Sequence, residues 1–152
     1  RAGASPPSTG RRPGSPERLI AFGSGLLAAL AVIVAARASG FDRGRSFYPT
    51  VLVVIALLYV LFGVESGAAE AVAAETVVAL SFIALAVVAF RRRSFALLAV
   101  GLALHGLWDI AHPFVLPESD GVPTWWPAFC LGVDLPLAAW AFWAWPPSPG
   151  ST

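Results

Sequence analysis

The chain has 152 residues, enough for one domain, and its composition is that of a membrane protein. Hydrophobic residues make up 57% of it and charged residues 12%, against roughly 25% charged residues in an ordinary soluble domain. The net charge of +1, with no basic stripe interleaved with aromatic residues, argues against a nucleic-acid partner. Cys130 is the only cysteine, so no internal disulfide is expected, and its apolar neighbours predict a buried, inert thiol.

The N-terminal segment changes character after its first 17 residues. Residues 1–17 are rich in Pro, Gly, Ser and Arg, and a segment with so little to bury is predicted to be a disordered tail. The apolar run 19–36 is about as long as a bilayer core requires. A cleaved signal peptide is the alternative, because residues 36–38 resemble a small-residue cleavage site. The run is longer than the usual apolar region of a signal peptide, so we favour a retained helix.

Three further transmembrane helices are predicted between short polar turns. Helix two covers 48–64, with Pro49 in its first turn, where the missing N–H costs nothing. Helix three covers 68–90 and ends at the arginine triplet 91–93. Helix four covers 94–112 and carries both histidines of the chain.

A fifth helix is predicted over 124–145, flanked by tryptophans at both ends. The two tryptophan clusters are about 18 residues apart, or roughly 27 Å of helix, which matches two interfacial belts across one bilayer. We therefore expect helix five to be the clearest spanning element and the hairpin of helices four and five to lie at the centre. The predicted fold is an all-α polytopic bundle of five transmembrane helices over 18–146, followed by a short tail, 147–152.

The arginines predict the orientation of the bundle in the membrane. The loops after helices one and three each hold three arginines, and the loops after helices two and four hold none. By the positive-inside rule the first two loops are cytoplasmic, the N-terminus is external and the C-terminus is cytoplasmic. The four arginines that precede helix one argue for the opposite orientation.

Both histidines lie in one stretch of helix four, with an aspartate between them. Spacings of four and three residues place His105, Asp109 and His112 along one helical face. Ionisable groups at membrane depth are costly, so they tend to face a bundle interior and to serve a function there. This face is therefore the candidate site.

Other helices are expected to bring polar groups to the same depth. From the helical rise, His105 and Glu75 should lie about 10 Å below the outer surface and Asp134 about 13 Å below it. Tyr59 of helix two should lie at a comparable level. We predict that His105, Asp109 and Asp134 point into the bundle and that Glu75 joins them. The acidic residues expected to lie near the outer surface, exposed to water, are Glu65, Glu70 and Glu118.

The first functional hypothesis for this layer is a metal site, and with it a metal-dependent membrane enzyme. The predicted ligands are His105, Asp109, His112 and Asp134. Their nitrogen and oxygen donors suit zinc, iron or manganese and leave a position for water. Glu75 or Asp109 would then act as the catalytic base. Tyr59 and Trp108 would support the ligands by packing or hydrogen bonding.

Two alternatives remain open from the sequence. The layer would be a proton or substrate relay if His105 changes charge near neutral pH. Five helices without an inverted repeat are few for a transporter, so such a protein would need to form a homo-oligomer. The layer would instead be a structural network if its polar side chains only join neighbouring helices. The sequence does not decide whether the protein is an enzyme.

Three segments together resemble a group of small, uncharacterised bacterial multi-pass membrane proteins. They are Asp42-Arg43…Phe47-Tyr48-Pro49, His105-Gly-x-Trp108-Asp109-x-x-His112, and Trp125-Trp126-Pro127-x-Phe129-Cys130…Asp134. The resemblance spans about residues 41–140. It implies a location in the bacterial inner membrane, and it assigns no catalytic residue.

Overall fold

The computed structural model describes residues 15–116 and 121–143, and every regular element in these ranges is a helix. The elements are α1 (Pro16–Ser39), a short 3-10 turn (Phe41–Arg43), α2 (Phe47–Ser66), α3 (Ala69–Arg92), α4 (Phe95–Val115) and α5 (Trp126–Trp143). The predicted all-α bundle of five long helices is confirmed. Residues 1–14 of the predicted N-terminal tail, and the predicted tail 147–152, lie outside the described residues.

Four of the described helices, α1 to α4, are long and apolar enough to cross a membrane. The chain is therefore a membrane protein in contact with the lipid bilayer. The fifth helix, which the tryptophan clusters mark as the clearest spanning element, is not among these four. Its 18 residues include two prolines, three tryptophans and Asp134, and these lower its mean hydropathy. That α5 spans the membrane stays a prediction.

The hairpin of α4 and α5 lies at the centre of the bundle, as predicted. The fifth helix packs along both α1 and α4, while α2 and α3 pack against each other and then against α4. As a result, α4 is the helix that contacts α2, α3 and α5. Side chains on several faces of α4 can therefore be buried, including the face that carries the histidines.

Three helix ends differ from the predicted bounds by three residues: both ends of α1, which ends at Ser39 and not at 36, and the end of α4. The first helix begins at Pro16, so Pro16 and Glu17 are helical rather than part of a tail. Proline suits the first helical position, and an acidic residue in the first turn is stabilised by the helix dipole. The fourth helix continues past His112 through Pro113 to Val115. A proline so close to the helix end removes only one hydrogen bond of the last turns.

The contact between α1 and α5 depends on two glycines. A Cβ at Gly25 would meet the backbone of Phe129, and a Cβ at Gly132 would meet the backbone of Phe22. Only glycine permits so close an approach of two helix backbones. Ala29, one turn after Gly25, is fully buried on the same face. This packing places α1 beside α5 in the bundle; that α1 is retained and not cleaved stays a prediction.

The arginine-rich turns meet at one end of the bundle. Arg45, from the turn before α2, lines an open cleft together with Arg91 and Arg93 at the end of α3. At the opposite end, Gly121 before α5 lies against the backbone of Phe62 in α2. The helices therefore alternate in direction as the arginine counts require. Which end faces the cytoplasm stays a prediction.

Candidate functional site

The ionisable side chains predicted to face inward are all buried. The exposed fraction is 0% for Glu75 and Asp109, 1% for His105 and Asp134, and 2% for His112 and Tyr59. The prediction that His105, Asp109, Asp134 and Glu75 point into the bundle is thereby confirmed. Glu65 and Glu70 are exposed, as expected, and Glu118 lies outside the described residues. Cys130 is buried and free, in agreement with the inert thiol predicted for it.

The deeper part of the site is a cluster of His105, Asp109 and Asp134, which we call the triad. The Nδ1 atom of His105 lies 2.8 Å from Asp134 Oδ2 and 3.5 Å from Asp109 Oδ2. One donor atom from each residue lies within 4.8 Å of the other two. The triad joins α4 to α5, because His105 and Asp109 share one face of α4 and Asp134 comes from the facing turn of α5.

A glycine in α4 allows Asp134 to approach His105. Gly106 is buried, and a Cβ at this position would lie 3.2 Å from Asp134 Cβ and 3.3 Å from Leu131 Cδ1. Any larger side chain would press α5 away from α4 at the level of the triad. Glycine at 106 therefore sets the distance between the carboxylate and the imidazole.

The second helix completes the surroundings of Asp109. The Tyr59 hydroxyl donates a hydrogen bond of 2.6 Å to Asp109 Oδ1. The other carboxylate oxygen, Oδ2, is buried and makes no hydrogen bond within the described part of the chain. An unpartnered carboxylate oxygen is costly in so apolar an environment. Asp109 Oδ2 faces the imidazole of His105 at 3.5 Å, so the contact between these two side chains is longer than the 2.8 Å contact between His105 and Asp134.

The remaining histidine belongs to a separate pair. His112 Nε2 lies 2.6 Å from Glu75 Oε1, so this pair joins α4 to α3. The rings of His112 and Tyr59 pack with centroids 4.5 Å apart. The Tyr59 ring therefore lies beside the pair while its hydroxyl reaches the triad.

Helical rise explains why the four predicted metal ligands do not form one set. His112 lies seven residues after His105, which is about 10 Å along α4. Two side chains on the same face but two turns apart do not reach one ion. The structure thus divides the predicted layer into two levels: the triad, and the Glu75–His112 pair nearer the helix ends. Glu75, expected as a base next to the metal, lies at the level of the pair.

Aromatic rings enclose both levels. Phe82 of α3 packs edge-on against His105, with centroids 4.9 Å apart. Trp108 packs edge-on against His112 at 5.8 Å, and its indole N–H makes no hydrogen bond among the described residues. Among the described residues, Trp108 therefore contacts the site by ring packing. The sequence reasoning missed Phe82, although its position seven residues after Glu75 puts it on the same face of α3.

The donor separations in the triad suit a small divalent cation. Zinc binds imidazole nitrogen and carboxylate oxygen at about 2.0–2.2 Å, so ligand atoms in a tetrahedral site lie about 3.3 Å apart. The two measured separations from His105 Nδ1, 2.8 and 3.5 Å, lie on either side of that value. A neutral imidazole with two carboxylates would also balance a charge of +2. The triad therefore offers donor types and a charge that a divalent metal accepts, and in this structure the 2.8 Å separation is a hydrogen bond between His105 and Asp134.

No protein-family model, curated protein or solved structure matches the chain.

Proposed function

We propose that the triad binds one divalent transition metal and that the protein is a metal-dependent membrane enzyme. The observation that carries this proposal is the convergence of three buried donors, His105, Asp109 and Asp134, in which Asp109 Oδ2 makes only a long contact of 3.5 Å to His105 Nδ1. A cation between His105, Asp109 and Asp134 would satisfy this oxygen and neutralise both carboxylates at once. Zinc, iron and manganese all accept one imidazole and two carboxylates.

Each buried group has a distinct role in this proposal. His105, Asp109 and Asp134 are the ligands, and Tyr59 orients Asp109 through the other carboxylate oxygen. Three protein ligands would leave a coordination position open, and a divalent metal held there would supply Lewis-acid chemistry and would lower the pKa of water. With Asp109 among the ligands, Glu75 is the remaining candidate base; because the Glu75–His112 pair lies at another level, it would exchange a proton with the triad only through an intervening water.

The metal content of the purified protein tests the proposal. Full-length protein prepared in detergent without chelator should hold about one zinc, iron or manganese ion per chain, measured by mass spectrometry of the elements. His105→Ala and Asp134→Asn should each lose the ion. His112→Ala should keep it, because His112 is not in the triad. Glu70→Gln, a change at an exposed carboxylate, is the matched control and should also keep it.

The result that would contradict the proposal is folded, metal-free protein whose stability does not rise when zinc, iron or manganese is added. Loss of the ion in His112→Ala but not in Asp134→Asn would contradict the assignment of ligands. Circular dichroism of each variant shows whether loss of metal merely reflects loss of the fold.

A proton relay is the second candidate function, and a continuous set of contacts supports it. The Tyr59 hydroxyl contacts Asp109, Asp109 lies 3.5 Å from His105, and His105 contacts Asp134 at 2.8 Å. A relay would show no bound metal, and a pH-dependent flux in reconstituted vesicles that Asp134→Asn abolishes. Protein with neither metal nor flux, but with lower thermal stability in the same variant, would have a purely structural network.

The cellular setting follows from the same proposal. The arginine distribution and the resemblance described above favour the bacterial inner membrane, with the arginine-rich turns in the cytoplasm and the triad in the outer half of the bilayer. A homo-oligomer is required only by the relay, because five helices are few for a transport path.

A further inference from the structure

The arginine end of the bundle carries an open cleft of about 520 Å³ with uncompensated positive charge. It lies between the turn before α2 and the end of α3, and its lining is Arg45, Ser46, Phe90, Arg91 and Arg93. Asp42 is the only acidic residue in the two arginine-rich turns, and it pairs instead with Arg37 at 3.4 Å. No described carboxylate lies within ion-pair distance of the three arginines of the cleft.

An apolar groove continues this cleft along the helices. It has a volume of about 260 Å³ and shares Ser46 and Phe90 with the cleft. Its other lining residues are Pro49, Thr50, Val53, Ala86 and Val87, which come from α2 and α3. From position 46 to position 53 the groove follows α2 for about 10 Å toward the middle of the bundle. The arginine cleft at the helix ends is thus continuous with the apolar groove between α2 and α3.

One arginine of the cleft adopts a backbone conformation that favours glycine. Arg93 follows α3 in the left-handed region, with φ 54, and its N–H caps the helix by bonding to the Phe90 carbonyl. Glycine would fill this capping position with less strain. An arginine held there at some cost in backbone energy indicates a use for its guanidinium group.

We propose that this surface binds an anionic glycerophospholipid, with the phosphate in the arginine cleft and one acyl chain in the groove. Guanidinium groups match phosphate oxygens with paired hydrogen bonds, and the Ser46 hydroxyl adds a further donor. The arginines lie at the helix ends, where a headgroup would lie, and the groove faces the lipid tails. A free phosphate ion would bind in the cleft, but it has no apolar part that could occupy the groove.

Lipid binding to the purified full-length protein tests this site. The probes are phosphatidylglycerol, phosphatidylcholine and inorganic phosphate, with binding measured by native mass spectrometry and by competition in detergent. The triple variant Arg45→Gln, Arg91→Gln, Arg93→Gln should bind phosphatidylglycerol at least about tenfold, and up to about 100-fold, more weakly. The control Arg43→Gln, Arg92→Gln removes arginines from the same two turns that do not line the cleft, and it should change binding less than about fivefold.

Two single variants separate lipid binding from a structural role of these residues. Val87→Trp should fill the groove and weaken phosphatidylglycerol binding, without changing the binding of inorganic phosphate. Arg93→Gly should weaken phosphatidylglycerol binding while leaving thermal stability equal or higher, since glycine suits the left-handed cap.

Three results would overturn the proposal. The first is equal binding of phosphatidylglycerol and phosphatidylcholine. The second is a loss in the control as large as the loss in the triple variant, which would indicate only general attraction of charge. The third is phosphatidylglycerol binding that Val87→Trp leaves unchanged and inorganic phosphate displaces, because the cleft would then be a site for free phosphate.

Discussion

Replacing Tyr59 by phenylalanine tests the hydrogen bond that joins α2 to α4 at the triad. Tyr59 is 2% exposed and Asp109 is 0% exposed, and the hydroxyl lies 2.6 Å from Oδ1. A hydrogen bond to a charged group contributes about 1.5–3 kcal/mol in soluble proteins. Bonds between membrane helices average about 0.6 kcal/mol and reach about 1.7 kcal/mol. Because Asp109 Oδ2 makes no hydrogen bond to offset the loss, we expect Tyr59→Phe to lower the free energy of unfolding by about 1–2 kcal/mol.

Unfolding of the chelator-treated protein by sodium dodecyl sulfate in mixed micelles, followed by circular dichroism, measures this change without a metal contribution. In an Asp109→Ala background Tyr59→Phe should cost nothing, because the hydroxyl has already lost its acceptor. Ser81→Ala is the control, since the Ser81 hydroxyl is exposed and bonds only to Val77 in its own helix, and it should stay within about 0.5 kcal/mol. Two results would refute the reasoning. The first is a change in the free energy of unfolding for Tyr59→Phe as small as that for Ser81→Ala, and the second is a change for Tyr59→Phe that is the same with and without Asp109→Ala.

Other substitutions test the helix packing, the separate pair and the orientation. Gly132→Ala should destabilise by about 1–3 kcal/mol, because its Cβ would meet a backbone carbonyl of α1. Gly23→Ala, which has nothing within 4 Å, should be neutral or stabilising, and equal unfolding midpoints for the two would contradict the close contact. Glu75→Gln should weaken the contact with His112 and cost about 1–3 kcal/mol in the same unfolding assay. It should leave the metal content unchanged, so loss of metal would place Glu75 among the ligands. A cysteine introduced at Arg92 should react only with a reagent added from the cytoplasmic side, and labelling from outside would reverse the orientation.

The sequence was sufficient to predict the buried polar face of α4. Its spacing of four and three residues determines that His105, Asp109 and His112 share one side of any helix that contains them. The length and apolarity of the surrounding run determine that this helix is in a membrane, where charged groups turn inward. Both inferences depend only on local helical geometry and on the solvent, so they needed no knowledge of the neighbouring helices.

The tertiary structure decided which groups meet on that face. The fifth helix lies beside His105 and supplies Asp134, whereas α3 lies beside His112 and supplies Glu75. The depth of each residue in the membrane could not predict these partners. Two residues at the same depth can lie on different sides of their helices, so their side chains need not meet. The separation of about 10 Å between the two histidines along α4, which keeps them out of a single site, follows instead from helical rise and was predictable from the sequence.

The sequence of the helices was by itself sufficient to predict a membrane protein of five helices and a histidine that faces the interior of the bundle. Only the packing decided that Asp134 contacts His105 and that Glu75 contacts His112. Gly106 shows the physical reason, because its missing Cβ lets α5 approach until Asp134 contacts His105. The distance of 2.8 Å between His105 Nδ1 and Asp134 Oδ2 results from how closely α4 and α5 approach, and the residues of α4 alone do not determine how α5 packs against them.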